Sequence, residues 1–177
     1  RARSRAMNPG GARALDPLSW LGLPLLQALT ATVLVAVPLR VFGVQIPEPA
    51  FPLVLVFAWA VIRPSILAPF VVLLAGLFLD LFWGSPLGLW ALSMLIGYGA
   101  TLSARSFMVG QSGAVLWGWY GVMCALTLAV GTMFAKMQLG AAPDLAVLAW
   151  QWLWTVLLYP LGHRLIDRFE DADVRFR

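Results

Sequence analysis

The chain has 177 residues, 61% hydrophobic and 11% charged, with a formal net charge of +4. Soluble domains average nearer half apolar and a quarter charged, so this composition excludes an ordinary water-soluble enzyme domain and equally a disordered chain. A single cysteine, Cys124, and a single histidine, His163, exclude a disulfide within these residues, a paired-cysteine zinc or redox site and a His-rich metal site.

The expected fold class is therefore an all-α integral membrane protein, a compact bundle of about six transmembrane helices of roughly 20 apolar residues each. Residues 1–17 are basic and Gly/Ala-rich without apolar periodicity, which predicts a mobile N-terminal tail. Span 1 is predicted over Leu18–Leu39, too long for a signal-peptide core of about 7–15 residues. Pro24 and Pro38 stand near its ends, where a missing N–H does least harm. Span 2 is punctuated at its start by Pro47, Glu48, Pro49 and Pro52, and its clean apolar run covers only Leu53–Ile62. A helix of that length reaches about 15 Å, half the hydrocarbon thickness. A short or broken span follows, tolerated where neighbouring helices cover its backbone. Arg63-Pro64 turns the chain into span 3, Ser65–Trp83; span 4 is Pro86–Leu102, span 5 Ala114–Ala135 and span 6 Leu145–Leu161. The transmembrane domain is thus residues 18–161, followed by a charged tail at 162–177.

Lys and Arg orient the bundle. With the N-terminus inside, the inner segments hold ten arginines and the outer loops only Arg40 and Lys136. Both termini are expected to be cytoplasmic. In so apolar a chain the basic residues mark cytoplasmic loops and anionic lipid headgroups, not nucleic acid, for which no basic–aromatic module is present.

Asp80 is the ionisable residue placed well inside a predicted span, among Leu77, Phe78, Leu79, Leu81 and Phe82. Such a group normally faces protein or water. Gly76, Asp80 and Gly84 recur every fourth residue and share one helix face, on which small residues let another helix come close. Gly84-Ser85-Pro86-Leu87-Gly88 then reads as the outer turn between spans 3 and 4. Three roles for Asp80 stay open: an anchor or partner contact ordering the outer helix ends, an interfacial carboxylate paired with Arg40 or Lys136, or a proton relay, against which stands the lack of a second carboxylate within any span. Trp150, Trp152 and Trp154 lie midway along span 6 and are expected to face lipid or a partner helix. Trp117, Trp119 and Tyr120 look like a headgroup belt. Pro160 should distort the end of span 6, Arg164 can snorkel to the inner surface, and His163 beside it is expected to be interfacial. No span offers a nucleophile–base pair, a metal cluster or paired carboxylates, so no catalytic, metal or cofactor-binding residue is expected.

From about Ile46 to Phe169 the sequence resembles MreD, the rod-shape-determining membrane protein family of bacteria. The resemblance rests on a short second span ending in Arg63-Pro64, then Gly76-xxx-Asp80, then Gly84-Ser-Pro86-Leu-Gly88, and on Tyr159-Pro160 followed by a basic tail from Arg164. It departs where Glu48-Pro-Ala-Phe-Pro52 replaces a Pro-Asp-type start of span 2, and in the long basic N-terminal tail. The resemblance implies a non-enzymatic scaffold of the cell-wall elongation complex in the bacterial inner membrane. The partners it implies are MreC, a RodA-type glycosyltransferase with its transpeptidase, and indirectly the MreB filament. It also implies a bundle similar to the S components of energy-coupling-factor vitamin transporters, so a small-molecule-binding or transport subunit is the alternative.

Overall fold

A computed structural model describes residues 21–35, 40–41, 44–45, 49–62, 64–140 and 144–160. Among the described residues the chain forms six helices: α1 (Leu23–Val35), α2 (Pro52–Val61), α3 (Ala68–Trp83), α4 (Leu89–Met108), α5 (Gly113–Leu139) and α6 (Leu145–Leu157). An unanticipated two-residue antiparallel ladder, β1 (Arg40–Val41) with β2 (Val44–Gln45), lies between α1 and α2.

Among the described residues the helices come in the expected order and α2 is as short as expected, but other lengths differ. Among the described residues only α5, with 27 residues, is long and apolar enough to cross a membrane; α1, α2, α3 and α6 are apolar but shorter. Helix α5 is extended because nothing between Gly113 and Leu139 breaks it, and it stops where Gly140 adopts a left-handed conformation, φ 70°.

The short second segment is the centre of the molecule. Every residue of α2 from Pro52 to Ala60 is buried, and α1, α3, α4 and α5 all pack on it. A helix that is apolar all round has no face suited to water, and burial on every side is the consistent solution. Pro52 begins α2, where a proline lacks only an N–H that would have no intrahelical partner. The preceding Ala50 N–H is held by Thr155 Oγ1 of α6 at 3.2 Å, so the leg into the helix is tied across the bundle. Phe57 sits edge-on to Tyr120 of α5 and to Tyr159, with ring centroids 5.5 and 6.1 Å away.

One sequence expectation changes here. Tyr120 is not part of an interfacial belt: it is fully buried, and its hydroxyl donates to the Thr155 carbonyl at 3.2 Å. Trp152 is about as exposed as Trp154, yet its indole N–H donates to the Gly121 carbonyl of α5 at 2.9 Å, so part of its ring serves a helix contact. The α5–α6 contact can be close because Gly121 has no Cβ, and Trp152 and Val156 fill that space. Trp150 and Trp154 remain outward-facing.

Candidate functional site

Gly76, Asp80, Gly84, Pro86 and Gly88, picked out from sequence, form one compact unit at the α3–α4 corner. Asp80 lies in the last turn of α3 and is completely buried. Its backbone carbonyl accepts the N–H groups of Gly84 and Ser85, the latter at 2.9 Å, and so ends the helix. Gly84 makes this possible by taking a left-handed conformation, φ 63°.

The carboxylate of the same residue begins the next helix. Asp80 Oδ1 accepts from Ser85 Oγ at 2.9 Å and from Trp90 N–H at 2.8 Å. Asp80 Oδ2 accepts from Gly88 N–H at 2.8 Å and, more weakly, from Ala91 N–H at 3.4 Å. The first N–H groups of a helix have no intrahelical acceptor, and Gly88 at the α4 N-terminus has no side chain to supply one. Asp80 therefore caps α4 from the preceding helix. Negative charge at this end is also favoured by the α4 dipole. The interfacial pairing with Lys136 is replaced by this cap: Lys136 is exposed on α5 and is not among the carboxylate's partners. The Arg40 side chain lies outside the described part of the chain.

Gly76, one turn earlier, sets the depth of the corner. A Cβ there would collide with the backbone Cα and N of Ala91, so the absence of a side chain is what lets α3 and α4 touch. Trp83 and Trp90 pack over the corner with ring centroids 4.8 Å apart. Gly84 itself faces open space, and only its backbone angle restricts it. Gly84→Val should therefore cost at least about 1–2 kcal/mol in conformational strain alone. Gly84→Asn, which tolerates left-handed angles, should lose much less. Yield and melting temperature of the two variants read this directly; equal behaviour would show that the left-handed angle does not limit folding.

The other sequence-selected residues lie elsewhere. Pro64 precedes α3 at the opposite end of that helix, and Pro160 is exposed at the far end of α6. Arg63, Arg164 and His163 lie outside the described residues. Three groups escaped sequence reasoning. Ser85 completes the Asp80 cap, and Thr155 joins α6 to the α2 leg. Arg105, in the last turn of α4, donates from Nε to the Val61 carbonyl at 2.7 Å. A signal for the last was available: Pro64 stops α2 and leaves its final carbonyls needing donors.

Beside the corner lies a half-open cleft of about 470 Å³ between the α3–α4 turn, α4, α5 and α6. Leu89, Trp90, Leu128, Gly131 and Leu148 give it a mainly apolar lining, and among the described residues no charged side chain lines it. Its hydroxyls are committed: Ser85 to Asp80, Thr127 to the Met123 carbonyl and Thr132 to the Leu128 carbonyl. Asp80 does not line it. Among the described residues no group of three or more His, Cys, Asp or Glu side chains could hold a metal ion. Comparisons with protein-family models, with curated proteins and with solved structures find no match to this chain.

Proposed function

We propose that the chain is a multi-pass scaffold of the bacterial inner membrane, of the MreD kind, that binds MreC and through it supports the peptidoglycan synthase. The observation that carries this reading is the use of Asp80. Asp80, in the last turn of apolar α3, spends its carboxylate on the α4 N-terminus and Ser85, so the group serves a structural corner. The Gly76–Gly88 stretch on which the family resemblance chiefly rests is also one physical unit.

Membrane embedding is supported by the distribution of side chains. Large apolar residues such as Phe70, Leu74, Leu81, Trp150 and Leu157 point outward. The seams between helices hold small or hydroxyl-bearing residues: Gly76, Ser93, Gly97, Thr127 and Thr155. That is the arrangement expected where lipid, not water, is the solvent and close backbone approach drives packing. With six spans taken from the apolar segments, the Arg and Lys bias favours an arrangement with both termini cytoplasmic.

Affinity-tagged protein, extracted in mild detergent from cells that also produce MreC, should retain MreC through washing. Reproducible loss of that partner, with the tagged protein still folded, would remove the scaffold reading.

A small-molecule-binding subunit is the second reading, favoured by the cleft, whose volume falls in the range of about 300–1,000 Å³ typical of ligand pockets. Its uncharged lining and committed hydroxyls weigh against a polar, water-soluble ligand. Reproducible thermal stabilisation by a vitamin-like compound would favour this reading over scaffolding.

A further inference from the structure

We propose that the cleft beside the α3–α4 corner holds one acyl chain of an outer-leaflet phospholipid, with Lys136 at the lipid phosphate. This rests on the membrane embedding and orientation proposed above. Helices α4 and α6 both pack on α5 but barely touch each other, so the outer half of α5 forms the floor of a groove between them. From Thr127, at the middle of α5, to Leu139, at its outer end, the lining extends about 18 Å at 1.5 Å per residue. One leaflet of hydrocarbon is about 15 Å deep. The groove therefore runs the depth of a single leaflet and stops near the midplane.

Size selects the occupant. Spread over that length, 470 Å³ is a mean cross-section of about 26 Å², whereas a helix about 10–12 Å across needs roughly 80–110 Å². A dry apolar cavity of about 150 Å³ takes one benzene ring, so this one has room for on the order of 15–18 carbon atoms. Both measures describe a single hydrocarbon chain. The lining agrees, being mainly apolar with its hydroxyls already bonded inside the protein. Left empty, its walls would forfeit the dispersion contacts that a chain restores. Charge decides what the chain is attached to. Lys136 stands at the outer rim, one turn beyond Thr132; it is exposed, and among the described residues nothing pairs with its ammonium. Asp144, the acidic side chain at that end of α6, spends Oδ1 on the Ala146 N–H at 3.2 Å. A lipid phosphate at headgroup level supplies the counter-charge for Lys136, which a neutral hydrocarbon would not.

The test uses the full chain, reconstituted in vesicles of phosphatidylcholine and phosphatidylglycerol, extracted in mild detergent and weighed by native mass spectrometry. One phospholipid should stay with each copy. Thr132→Trp and Leu148→Trp fill the cleft from its α5 and α6 sides and should each expel it. Leu74→Trp, on the exposed face of α3, should not. The Thr132 hydroxyl bonds only within its own helix, so its loss strands no distant group, and melting temperatures verify folding. Lys136→Gln should weaken retention of phosphatidylglycerol about fivefold, the worth of one basic side chain beside an anionic headgroup. In the unsubstituted protein, a phospholipid with a photoactivatable group at the end of its chain should label near Thr127 and Leu128. One with that group beside the headgroup should label near Leu139. Extraction free of lipid would overturn the proposal, as would lipid retained equally by folded Thr132→Trp and Leu148→Trp, or labelling of the retained lipid elsewhere. Retention indifferent to Lys136→Gln would overturn the headgroup contact. Cross-linking of Thr132→Cys, with Cys124→Ala, to another protein in native membranes would put a partner in the cleft and also overturn it. Alkaline carbonate extraction separates the premises: release from the membrane removes the embedding and this proposal with it, whereas membrane retention without bound lipid removes the proposal alone.

Discussion

Asp80→Ala should lower stability by about 3–5 kcal/mol, the largest loss expected from any single side chain at the α3–α4 corner. The substitution strands the Gly88 and Trp90 N–H groups and the Ser85 hydroxyl in a site with no solvent exposure at Asp80. A fully buried donor without an acceptor costs about 1–3 kcal/mol; these three are partly buried, so water recovers some of that, and release of the carboxylate's own desolvation offsets more. Asp80→Asn should fall between wild type and Ala. Its carbonyl oxygen can keep the partners of one carboxylate oxygen, while its NH₂ must face the donors of the other. Denaturation in detergent, followed by tryptophan fluorescence, measures the ranking. Hydrogen exchange at Gly88 and Trp90 should speed up before the rest of α4. A wild-type midpoint for Asp80→Ala would show that the cap does not hold the corner.

The second large effect is expected at Gly76. Gly76→Leu forces a side chain into the backbone of Ala91, which cannot rotate away as a flexible side chain could. Overpacking typically costs about 1–3 kcal/mol, and a backbone collision belongs at the upper end or beyond. Gly76→Ala should also be destabilising. The better helix propensity of alanine, about 1 kcal/mol, is smaller than the cost of separating α3 from α4. Gly99 supplies the control, since a Cβ there meets nothing within 4 Å on the exposed side of α4. Gly99→Ala should be neutral or stabilising, and equal effects at the two glycines would refute the close-contact account. Loss of MreC recovery in Asp80→Ala or Gly76→Leu at a temperature where the protein remains folded would connect the corner to partner binding.

These two positions show how far the sequence could be read. Four-residue spacing put Gly76, Asp80 and Gly84 on one face, and the Gly-Ser-Pro-Leu-Gly run marked the turn; both are local properties of the backbone. The partners of Asp80 were not legible, because a carboxylate near a helix end is satisfied as well by a lysine as by the next helix's N–H groups. Which acceptor wins depends on how closely the helices approach, and that is set by Gly76 against Ala91. Residue type and position along a span suggest a headgroup belt for Tyr120. Its burial, and the bond of Trp152 to α5, depend instead on the radial direction each faces, which for Trp152 is decided by the gap at Gly121.

The sequence by itself determined six helical segments in order, a short and apolar α2, and glycine or proline punctuation at their ends. Apolar composition and left-handed or N–H-deficient residues impose these locally. Tertiary structure alone decided that α2 is the buried centre. It also decided that Arg105 closes the α2 C-terminus and that the carboxylate of Asp80 is consumed as the cap of α4. Each of those outcomes pairs groups far apart in the chain, and the rule governing them is the long-range requirement that every buried polar group find a partner. The composition is that of an apolar chain with few charges. The fold shows what the most deeply placed of those charges is for: it joins two helices.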